Sequence, residues 1–130
     1  MSYYFSKVLS GKSFDEVIEL TKEGLKEVGF GVLTEIDIKN TLKKKIDVDF
    51  KKYTILGACH PHYAHKALQS EDKIGLFLPC NVIVVARENG DVEVSAVDPI
   101  ASMISVGNEN LGVLATEIQQ KLKNIIDNLG

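Results

Sequence analysis

The chain has 130 residues, 45% hydrophobic and 25% charged, with 15 basic against 18 acidic side chains. Such a length and balance describe one folded domain, residues 1–130, and exclude a disordered chain. A net charge of −3 supplies no overall drive toward nucleic acid or anionic membranes, so neither is an expected partner.

Tyr3 to Leu9 is rich in aromatic and β-branched residues and is closed off by Gly11, which predicts a first strand. Ser13 and Glu16 have the spacing of a capping box, so a helix should begin there. Phe14, Val17, Ile18, Thr21, Leu25 and Val28 then recur at helical spacing, and Gly29 sits where a left-handed cap ends a helix. A second strand is expected over Phe30 to Ile36. Asp37 can cap a short helix carrying Ile38, Leu42 and Ile46, with Lys43, Lys44 and Lys45 at its negative dipole end. Those lysines read as a solvated face rather than a phosphate or nucleic-acid site.

A third strand, Tyr53 to Ala58, leads into a helix whose first residue is Pro61, with Tyr63, Ala64, Ala67 and Leu68 on one face. Cys80–Arg87 and Asp91–Asp98 flank Asn89-Gly90, a strong hairpin signal. If those two residues are the whole loop, Ile83 faces Ala96 and Val85 faces Val94 on one side. Val82 then faces Val97 and Val84 faces Ser95 on the other. Both sides would be largely apolar, so a second subunit is expected to cover one. Residues 100–106 form a turn or loop. A closing helix from about Glu109 to Leu129 turns Leu111, Leu114, Ala115, Ile118, Leu122, Ile125, Ile126 and Leu129 inward. Strands and helices in this order, ending in an antiparallel hairpin, indicate an α+β sandwich with helices packed on one sheet face.

Site chemistry concentrates between Ile55 and Val85, which holds both cysteines and all three histidines. Cys59 stands just before the Pro61 helix, where the dipole can lower a thiol pKa, so it is the candidate catalytic or reactive thiol. Buried apolar packing is the alternative for it. His60 occupies the N-cap, where Asn, Ser or Asp would normally accept a backbone hydrogen bond. Cys59, Cys80 and His60 are the candidate metal ligands, for zinc or copper(I), should they meet in space. His62 and His65 point away from that set. Asn81 and Asp98 face each other in the expected hairpin register and join the candidate ligand-binding residues. The first residues contain no apolar run long enough for a signal peptide or spanning helix, and two cysteines do not make a disulfide scaffold. A cytoplasmic protein with reduced thiols is expected.

The stretches ILGACHPHYAHKAL and GLFLPCNVIV, with VDPIASM from Val97, resemble the DUF302 family of TT1751-like domains over nearly the whole chain. The matching positions are Gly57, Cys59, Pro61, Leu78, Pro79, Cys80, Asn81, Asp98 and Pro99, with a departure at His60, where the family pattern has Asn. The resemblance implies a curved antiparallel sheet with helices on one face, similar to the TATA-binding-protein-like arrangement, and a small homodimer. It implies no reaction. Three functions stay open: a homodimeric module binding a small ligand or soft metal near Cys59, His60 and Cys80; a thiol-dependent enzyme or redox sensor using Cys59; and a purely structural or interaction protein.

Overall fold

The Ser13 hydroxyl accepts the Glu16 backbone N–H, while the Glu16 carboxylate accepts the Ser13 N–H, so both halves of the capping box form. They start helix α1, Phe14–Glu27, which buries Val17, Ile18, Thr21 and Leu25. This computed structural model describes residues 2–130. Before α1 lies strand β1, Tyr4–Leu9; after it come β2, Gly31–Asp37, and α2, Ile38–Ile46. Asp37 caps α2 by accepting the Asn40 N–H, as its sequence position predicts.

Strand β3, Tyr53–Cys59, leads directly into α3, Pro61–Ser70, and a 3-10 turn, Asp72–Phe77, precedes β4, Cys80–Ala86. Strand β5, Val92–Val97, short helix α4, Pro99–Met103, another 3-10 turn and the long helix α5, Glu109–Asp127, complete the chain. The five strands form one antiparallel sheet in the order β1-β5-β4-β3-β2. The expected α+β architecture is therefore present. Helices α1 and α5 cover one sheet face, where Leu25, Leu56, Val82, Val84, Val94, Leu122 and Ile126 are fully buried together. A smaller cluster of Ala67, Ile74 and Leu111 joins α3 to the start of α5. No helix among the described residues is long and apolar enough to cross a membrane.

The hairpin register differs from the sequence expectation by one residue. The loop has three residues, Glu88, Asn89 and Gly90. Gly90 sits at φ +90°, and Arg87 N–H bonds Asp91 O behind it. A turn followed by a left-handed glycine is the standard three-residue hairpin loop, and the extra residue exchanges the faces of one strand relative to the other. Val82 now pairs with Ala96 and Val84 with Val94 on the helix side, while Ile83 meets Ser95 and Val85 meets Glu93 on the open side. The open side is thus mixed in polarity, and the two-apolar-face premise for a covering subunit does not hold. Asn81 and Asp98 no longer face each other either; Asn81 pairs with Gly57 of β3.

Candidate functional site

Ala58 pairs with Cys80 across β3 and β4, on the side covered by helices, and both are buried. Cys59 ends β3 beside them and is half-buried. Pro61 opens α3 two residues later, so His60 is held at the N-cap, as its position predicts, but its side chain makes no capping hydrogen bond. Its ring is instead packed edge-on against Phe30 and Tyr63, at centroid distances of 5.4 and 4.6 Å. Its Nε2 backs onto Gly29, where an added Cβ would stand 2.7 Å from that nitrogen. Its Nδ1 is buried without a hydrogen-bond partner.

Cys59, His60 and Cys80 line one cavity of about 30 Å³. Phe30, Tyr63, Leu78, Met103 and Ile118 supply most of its apolar wall. That volume admits a single water-sized occupant. Three of the sequence candidates therefore converge, and two do not. Asp98 caps α4, accepting the Ile100 N–H at 3.0 Å and the Gln119 amide at 3.2 Å. Asn81 is exposed in a groove on the open sheet face, beside Tyr4 and Tyr53. His62 and His65 are exposed on α3.

Burial governs the protonation of the converging groups. It raises the Cys59 thiol above its ordinary range, reversing the lowering expected from the helix dipole. Burial, with a smaller contribution from neighbouring Cys59, pushes Cys80 up to about 11. His60 is lowered chiefly by burial, then by the Lys121 cation and by His62. Both thiols are thus protonated and His60 is neutral at physiological pH. A protonated thiol is a poor nucleophile, so the arrangement does not favour Cys59 as an activated one. Among the described residues, no group of three or more His, Cys, Asp or Glu side chains is placed to hold a metal ion. Gly29 and Phe30, which back and flank the imidazole, carried no site signal in the sequence: Gly29 read only as a helix terminator.

The fold and this thiol-lined cavity define a small α+β domain with one sheet face covered by helices and one left open. The family described as "Domain of unknown function DUF302" matches residues 5–129, and the chain belongs to that family. A solved structure described as an uncharacterized conserved DUF302 protein from Bacillus stearothermophilus is similar over 100% of both chains, with a TM-score of 0.91 and 28% identity. No curated protein matches.

Proposed function

We propose that this domain is a binding module whose site is the cavity shared by Cys59, Cys80 and His60, and that it takes one soft monovalent metal ion such as copper(I). The convergence of two thiols and an imidazole with an unpartnered nitrogen on one cavity of about 30 Å³ carries this reading. The volume favours a single ion over an organic molecule. Zinc prefers four ligands in tetrahedral geometry, and among the described residues no such donor set surrounds the cavity. Copper(I) is a soft ion that selects thiolates and accepts only two of them. Neutral His60 puts no positive charge beside the thiols to oppose the incoming cation.

Two protons leave the thiols when the ion enters, so apparent affinity rises by up to about 100-fold per pH unit across the neutral range. Competition between the reduced protein and a chromophoric copper(I) chelator tests this directly. One ion per chain, lost in both Cys59→Ser and Cys80→Ser, is the expected result; an unchanged competition curve in the two variants rejects those ligands. We also read the protein as a homodimer. Tyr4 and Val8, both exposed along edge strand β1, support that association. A monomer mass by light scattering at micromolar concentration would count against it.

A further inference from the structure

The net charge of −3 conceals a segregation of charge. Residues 39–52, which span α2 and the segment returning to β3, carry six lysines against two aspartates, a net of +4, and the other 116 residues carry −7. Lys43 is tied to Asp47 and Asp49. Lys44 and Lys45, by contrast, are exposed and make no ion pair among the described residues.

The same segment leaves apolar side chains in water. Ile46, Val48 and Phe50 are 63%, 41% and 38% exposed. No residue of α2 is buried, so the helix contributes nothing to the core. Its shape is nevertheless held. Asp37 caps it, the Thr41 hydroxyl donates to Asp37 O, and Asp47 closes it in the left-handed conformation. Lys39 donates to Phe50 O at 2.9 Å, drawing the return segment back along the helix, and the Lys51 ammonium lies 5.7 Å from the Phe50 ring centre. Lysines and exposed apolar groups therefore share one small, locally ordered surface.

We infer that α2 and the segment Ile46–Lys52 dock on an anionic lipid surface. The chemistry of the surface selects that occupant. Lysine heads meet lipid phosphates, while Ile46, Val48 and Phe50 enter the headgroup–acyl boundary. A nucleic acid would engage the lysines but would leave the two aliphatic side chains in water. The remainder of the molecule is acidic and is repelled by the same surface, which orients the domain with α2 toward it.

Co-sedimentation of the full chain with two kinds of vesicle tests this: phosphatidylcholine alone, and phosphatidylcholine with about one-third phosphatidylglycerol. The expected result is binding to the anionic vesicles only, weakened by salt. At roughly fivefold per lysine, the triple variant Lys44→Gln, Lys45→Gln, Lys51→Gln binds about 100-fold more weakly. Phe50→Ser weakens binding with all lysines retained. These side chains are exposed, and an unchanged far-UV circular dichroism spectrum confirms that each variant is folded. No sedimentation with anionic vesicles overturns the inference, as does equal sedimentation with neutral ones. Binding to a DNA duplex as strong as to vesicles, indifferent to Phe50→Ser, overturns it in favour of a polyanion site.

Discussion

Replacing Gly29 by alanine probes the contact that holds His60 in place. Gly29 lies at φ +93° just beyond α1, and an L side chain in left-handed backbone costs about 1–2 kcal/mol. The new Cβ would also stand 2.7 Å from His60 Nε2. The ring cannot swing away freely, because Phe30 and Tyr63 pack against it. Overpacking of this kind adds about 1–2 kcal/mol, so Gly29→Ala is expected to destabilise by roughly 2–4 kcal/mol. In a His60→Ala background only the backbone part remains. Urea unfolding of the wild type, both single variants and the double variant closes a double-mutant cycle with a coupling of about 1–2 kcal/mol. Additivity within about 0.5 kcal/mol would show that His60 does not rest on Gly29, and the described geometry of the site would be wrong.

Three further outcomes follow from the same structure. Cys80 is raised when folded, so the unfolded chain loses its proton first; the stability this residue contributes is present below pH 9 and declines as pH rises through about 11. The loss is about 2–3 kcal/mol, read as the difference between wild type and Cys80→Ala in urea midpoints over that range; parallel curves would contradict it. His60 is lowered when folded, so the unfolded chain binds the extra proton; its contribution is complete above pH 6.5 and shrinks as pH falls below that value. His60→Asn should remove this acid sensitivity while supplying a capping oxygen for α3, and a variant as acid-labile as the parent would refute the assignment. Finally, a Cβ on Gly57 would overlap the Thr34 hydroxyl and approach Pro79 Cγ to 2.8 Å. The Thr34 side chain can rotate but the proline ring cannot yield, so Gly57→Ala should lower stability by about 1–3 kcal/mol in thermal or urea unfolding, and Thr34→Ala should recover only part of it.

Local chemistry made most of the fold legible. The Ser13–Glu16 box, the Asp37 cap and Pro61 each act within one helical turn, and all three helices start where those residues place them. The inward stripe of α5 was equally readable, because helical periodicity persists over its 19 residues. The hairpin register was not, since Asn89-Gly90 is compatible with loops of two or three residues; both place Gly90 at positive φ, and only the absence of a positive φ at Asn89 selects the longer loop with its extra residue. That single residue relocated Asn81 to the open face and freed Asp98 to cap α4. Within the site, the linear spacing from Cys59 to Cys80 said nothing about proximity. The antiparallel pairing of Ala58 with Cys80 brings them together, and such pairing is a property of the assembled sheet. Thiol protonation differs from the expectation for a related reason: the dipole of α3 acts along the sequence, whereas the burial that outweighs it is a property of the assembled site, whose wall includes Phe30, Leu78 and Ile118, distant in the chain.

Native mass spectrometry of the reduced protein, offered copper(I), tests the central claim most directly because it reads ion stoichiometry and subunit number in one spectrum. The account predicts one copper(I) ion per chain, absent from both Cys59→Ser and Cys80→Ser and retained in a Ser10→Ala control, which lies by Asp91 at the hairpin end of the sheet, away from Cys80. A metal-free spectrum at saturating copper(I), or an ion retained by both cysteine variants, would contradict it.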